Sequence, residues 1–145
     1  MSDLKSLASK LVANELANPT IHFGNQSSAE VFGQQNFSPV EQVFHCLRFL
    51  SVVEALAHHD EARFQQPKTP KRIGVYHAKH VVEKWCGRYI TTHAFITAAK
   101  AKDGFNLRLT STDQSWGLPA WIYRLLATIK HSDDFRPLLA ALVKG

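Results

Sequence analysis

Ser38-Pro39-Val40-Glu41 opens the helix that most limits how this chain can fold. Ser38 is placed to cap it, Pro39 carries the fixed φ that suits a first helical position, and Glu41 stands three residues after the cap in the capping-box arrangement. The apolar pattern then continues to about Phe64. Val40, Val43, Phe44, Leu47, Leu50, Val53 and Ala57 form one stripe, and Cys46, Phe49, Val52 and Leu56 extend it around much of the circumference. A helix with so little polar surface must be central, which commits the domain to helices packed around it.

The rest of the chain supplies them. Leu4, Leu7, Ala8, Leu11, Val12 and Leu16 recur at three- and four-residue steps and predict a first helix over Ser2 to Leu16, ended by Asn18-Pro19. Thr20 to Phe37 is polar and glycine-bearing and reads as a long connection, with Ser28 to Phe32 long enough for one helical turn. Pro67 and Pro70 mark Gln65 to Arg72 as a stiff exposed linker. Two helices follow, about 75 to 86 and 91 to 102, separated at Gly87, with Thr91 or Thr92 as the second N-cap. The alternation of Phe105, Leu107 and Leu109 with polar residues, then Ser111 to Trp116, predicts a short β-hairpin. Leu118-Pro119 opens a further helix through Ile129, and Phe135 to Val143 forms the last. The expected fold is mainly α: a single compact helical domain, residues 1 to 145, of about five to six helices.

At 145 residues one core is enough without staples. Cys46 and Cys86 lie inside apolar helical patterns and read as buried thiols rather than a disulfide framework. No apolar run approaches the ~18 residues of a membrane span. Ser6, Ser9 and Lys10 break the pattern of a secretory signal, so a cytoplasmic location and no membrane partner are expected.

Charge gives the functional signal. Between Lys68 and Arg108 nine cations (Lys68, Lys71, Arg72, Lys79, Lys84, Arg88, Lys100, Lys102, Arg108) meet only Glu83 and Asp103, a net +7 in a chain whose total is +5. The remainder therefore sums to −2, and the positive charge belongs to one segment, as expected of a surface that meets a polyanion. Residues 68 to 108 are the expected binding face.

Two helices joined by a glycine-containing turn resemble the geometry of a helix-turn-helix unit, although the stretch from Ala78 to Gly87 is longer than the usual step. In that arrangement Ile90, Ala94, Ala98 and Ala101 or Phe95 pack inward. Thr92, His93, Thr97, Lys100 and Lys102 then face outward, with Arg88 and Lys68, Lys71 and Arg72 on phosphates and Arg108 on a wing. The competing reading is an ordinary helical hairpin with a solvated charged side. Tyr76 and Tyr89, beside cations at the ends of the first helix, are the candidates for stacking platforms under a single-stranded or RNA target, whereas Trp85 reads as core.

Enzyme chemistry has no comparable support. His77 and His80 share a helix face but lack a third and fourth ligand in any standard zinc spacing. His58-His59-Asp60 lacks the partners of a metal-dependent phosphohydrolase, and no Gly-x-Ser-x-Gly, phosphate-binding glycine loop or His-Glu-x-x-His occurs. No catalytic residue, metal or cofactor is assigned. The expected function is nucleic-acid binding, DNA before RNA, in a regulatory or accessory role. Histidines near the cations would strengthen binding in acid. The alternative is a protein-interaction module, an inhibitor or adaptor, that uses the basic face or Trp116 to Trp121 against a protein partner. A homodimer is admitted only by analogy with two-fold nucleic-acid readers.

Overall fold

The computed structural model describes residues 2–23, 25–34, 38–59, 71–102, 108–109 and 114–118. These contain five helices: α1 (Ser2–Ala17), α2 (Ser28–Phe32), α3 (Pro39–His59), α4 (Val75–Cys86) and α5 (Thr92–Lys100). Five short strands join them: β1 (His22–Phe23), β2 (Gln26–Ser27), β3 (Lys71–Gly74), β4 (Arg108–Leu109) and β5 (Gln114–Leu118). The domain is mainly α, as the sequence indicates. The two helices expected after Leu118, and the end of the long helix near Phe64, lie outside the described residues.

Helix α3 starts as its sequence dictates. Ser38 Oγ accepts from the Glu41 backbone N–H at 3.3 Å. The Glu41 carboxylate receives Lys5 Nζ of α1 at 2.6 Å, so an N-terminal acid ties two helices together. Val43, Cys46, Leu47, Phe49, Leu50 and Val53 are buried, which puts the apolar circumference of α3 to use.

The innermost helix is nevertheless α5. Every residue from Thr92 to Ala99 is buried, and the helix packs against α1, α2, α3, α4 and β1. Small side chains at Ala94, Ala98 and Ala99 let neighbours approach, while Phe95 and Ile96 fill the space between them. Its polar groups find local partners. Thr91 Oγ1 accepts from Ala94 N–H at 3.1 Å as N-cap, and Thr97 Oγ1 donates to the His93 carbonyl at 2.8 Å. Between α4 and α5, Gly87 takes φ 70, a left-handed conformation that a side chain would disfavour. Its N–H closes α4 on the Glu83 carbonyl at 2.8 Å.

Two segments depart from the expected connections. The stretch after Thr20 forms a β1–β2 hairpin followed by α2. His22 pairs with Ser27 and Phe23 with Gln26, and Asn25 takes φ 67 at the turn. Ser27 and Glu30 then form a complete capping box for α2, with Ser27 Oγ accepting from Glu30 N–H at 3.2 Å. The end of the supposed linker, Lys71 and Arg72, instead lies in β3. The expected hairpin is present as β4 against β5, and β3 pairs antiparallel with the other edge of β5 to give the order β3-β5-β4.

Candidate nucleic-acid interface

The structure divides the cations of residues 68 to 108 among several places. Helix α4 carries the most informative group. Lys79 is 5% exposed, and its Nζ lies 5.3 Å from the Tyr76 ring centroid and 4.9 Å from that of Tyr89. Glu83 Oε2 accepts from the same ammonium at 3.4 Å, so the charge is held by one carboxylate and two aromatic rings. That carboxylate also accepts from the Ile90 N–H at 3.0 Å, while its Oε1 meets His80 Nδ1 at 2.7 Å. Glu83 therefore locks the turn between α4 and α5, and Lys79 sets the spacing of the two tyrosines.

Those tyrosines are the exposed feature. Tyr76 is 55% and Tyr89 58% exposed, large values for aromatic side chains, and Lys79 limits their centroids to a separation of no more than about 10 Å. The Tyr76 ring also stands perpendicular to the His80 ring with centroids 4.7 Å apart, and lies nearly parallel to Phe23 of β1 at 6.3 Å and 13°. His77, Lys84 and Arg88 are exposed nearby in sequence.

Arg88 has company that sequence reading missed. The charges of Arg88, Arg48 and Lys5 all act on His45, with Glu41 the opposing carboxylate. Arg48 lies 5.7 Å from the Phe44 ring and 5.3 Å from Trp85, and Lys5 lies 5.5 Å from Phe44. Lys5 and Arg48 come from outside the basic segment, and only the fold brings them to it. His45 itself is pushed below its ordinary value by burial and by those cations. Its Nε2 stands 3.8 Å from Glu41 Oε2, and neither ring nitrogen has a hydrogen-bond partner among the described residues.

Other cations lie elsewhere. Lys100 Nζ donates to Thr20 Oγ1 at 2.9 Å, and Lys102 pairs with Glu54 of α3 at 3.8 Å. Glu41, which feels Arg88, and Glu54 are thirteen residues apart on α3, roughly 20 Å along its axis, so Arg88 and Lys102 serve different ends of the domain. In the β3-β5-β4 sheet, Arg108 registers with Ser115 and Arg72 with Gly117, two positions apart on the central strand β5. Lys71 registers with Leu118 at the end of the same strand. Lys68 lies outside the described residues.

The outward face expected of a recognition helix is not what the fold provides. Thr92, His93 and Thr97 are buried at 6%, 4% and 3% exposure, because α5 is wrapped by four helices and a strand and its small residues serve core packing. Lys79 of α4 is likewise buried, at 5% exposure. His93 plays a structural part instead, since its Nε2 contacts the Gln26 carbonyl at 2.9 Å and its ring meets Phe23 edge-on at 6.1 Å.

Burial also raises both thiols. Cys46 is pushed well up by desolvation, and Cys86 is raised by burial despite the nearby Arg88 charge, so neither is a thiolate nucleophile at neutral pH. Among the described residues no group of three or more His, Cys, Asp or Glu is placed to hold a metal ion, and no helix is long and apolar enough to cross a membrane. No protein-family model, curated protein or solved structure shows a significant match to this chain.

Proposed function

We propose that this protein binds single-stranded nucleic acid on the exposed side of α4 and the α4–α5 turn. Tyr76 and Tyr89 stack bases, and Lys84, Arg88 and Arg48 attract the phosphates. The observation that carries this reading is the pair of half-exposed tyrosines that both lie against the Lys79 ammonium. Exposed rings beside cations are what sequence-tolerant single-strand binding requires, each stacked base contributing about 1–3 kcal/mol. A duplex offers no accessible base faces to such rings, and α5, the helix expected to enter a major groove, is buried. Lys79 acts indirectly, as the internal cation that positions the platform.

The test is competition between forms of nucleic acid. A labelled single strand of about twelve nucleotides should bind at low salt and be displaced by unlabelled single strands, DNA or RNA, far better than by duplex of the same sequence. Equal displacement by duplex, or no binding to any of them, overturns the reading. The second of these outcomes leaves an acidic protein as the partner to pursue.

A further inference from the structure

We infer that Gln26 is a base-reading residue of this interface and that it gives the protein a preference for adenine, an inference that rests on the single-strand reading above. The β1–β2 register sets Phe23 and Gln26 directly opposite each other, and directly opposed residues of an antiparallel pair project from the same face with Cβ atoms about 4.5–5.5 Å apart. Phe23 lies nearly parallel to the Tyr76 ring, 6.3 Å away, so the face shared by Phe23 and Gln26 is the one that borders the platform. Gln26 is exposed, and no hydrogen bond engages its side chain among the described residues.

Its backbone, by contrast, is fixed. His93, buried in α5, contacts the Gln26 carbonyl through Nε2 at 2.9 Å, and its ring packs nearly perpendicular to that of Phe23. Ser27, the next residue, is buried and caps α2. The amide of Gln26 is thus an exposed polar group on an anchored strand at the border of a stacking surface. A carboxamide presents one acceptor and two donors, and its bidentate match to adenine through N6 and N7 is the best known of its base contacts. A base stacked on Tyr76 turns one edge toward β2, where that amide meets it. The tyrosines supply affinity to any base, and Gln26 supplies the distinction among bases.

The experiment measures anisotropy of labelled homopolymers of adenine, cytosine and thymine with the full chain and with Gln26→Ala. That substitution keeps the backbone carbonyl used by His93, and unchanged thermal unfolding confirms that the hairpin is intact. The wild type should favour the adenine strand by about tenfold, and Gln26→Ala should bind all three alike, at the level of the weaker wild-type complexes. Tyr89→Ala should weaken every complex and retain the preference. Equal wild-type affinity for the three strands, or an adenine preference that survives Gln26→Ala, overturns the role of Gln26 and leaves single-strand binding intact. Failure to bind any strand overturns both.

Discussion

Gln42 and Thr91, 49 residues apart, are joined by two buried hydrogen bonds: Gln42 Oε1 accepts from the Thr91 N–H at 2.8 Å and from its hydroxyl at 3.0 Å. One amide of α3 therefore fixes the start of α5, and with it the turn that carries Arg88 and Tyr89. Replacing Gln42 with Leu keeps most of the volume but leaves two buried donors without their acceptor. Urea unfolding should show a loss of about 2 kcal/mol with an unchanged denaturant slope. A loss below about 0.5 kcal/mol would mean that the clamp does not hold α5.

The burial of α5 gives a second expectation. Thr97→Lys places an ammonium where the side chain is 3% exposed, and the chain should lose several kcal/mol of stability or fail to fold. A recognition helix facing solvent would accept the same change and bind polyanions more tightly. Circular dichroism with thermal unfolding separates the two outcomes.

His45 makes stability depend on pH. Because burial and the Arg88, Arg48 and Lys5 charges lower its pKa, the unfolded chain takes up this proton more readily than the folded one. The associated stability is present above the ordinary histidine value of 6.5 and is lost as pH falls below it. Glu41 and Glu15 act in a lower window. Glu41 is lowered chiefly by its bond from Lys5. At Glu15 burial opposes ionisation, but bonds from Ser28 and Thr20 and the Lys100 charge outweigh it. Their contributions hold above the ordinary value of 4.5 and disappear in stronger acid. Urea midpoints of the wild type should fall between about pH 7 and pH 5, and His45→Gln should flatten that part of the profile. An unaltered profile in the variant would remove His45 from this account.

Salt dependence distinguishes a cation on a phosphate from one beneath the rings. Arg88→Gln and Lys84→Gln should each reduce the slope of log K against log salt by about one. Lys79→Met should weaken binding by loosening Tyr76 and Tyr89 while leaving that slope as it was. A reduced slope for Lys79→Met would show that its ammonium reaches the nucleic acid.

The thiols offer a simple check on packing. Its raised pKa and full burial predict that Cys46 alkylates much more slowly in the native protein at neutral pH than in urea, and the partly buried Cys86, also raised, should be slowed less. Rapid native labelling at Cys46, which is fully buried, would contradict the core described above.

Helix periodicity and punctuation were readable because they are local. Ser38-Pro39 begins α3, Gly87 ends α4 and Thr91 caps α5, each for a reason confined to one turn of chain. The Ser27-Glu30 capping box was equally local, but a five-residue helix offers too short an apolar pattern to draw attention to it. Which side of a helix faces solvent is a tertiary property. Thr92, His93 and Thr97 look like a polar front only while the four helices and the strand packed on α5 are out of view. Of the described cations, neighbours along the chain took different partners in space: Lys102 went to Glu54, Lys79 went beside two tyrosines, and Arg88 gained Arg48 and Lys5 from distant segments. The exposure of Tyr76 and Tyr89 was anticipated because both sit beside cations at the ends of α4, positions where an aromatic ring has least reason to enter the core.

The most direct measurement of the central claim is the affinity of a Tyr76→Ala, Tyr89→Ala double variant for a labelled single strand across a range of salt. The two rings should account for at least about thirtyfold in affinity, with the salt slope preserved because the phosphate contacts remain. A double variant that folds normally and binds as tightly as the wild type would contradict the claim that these tyrosines are the stacking surface.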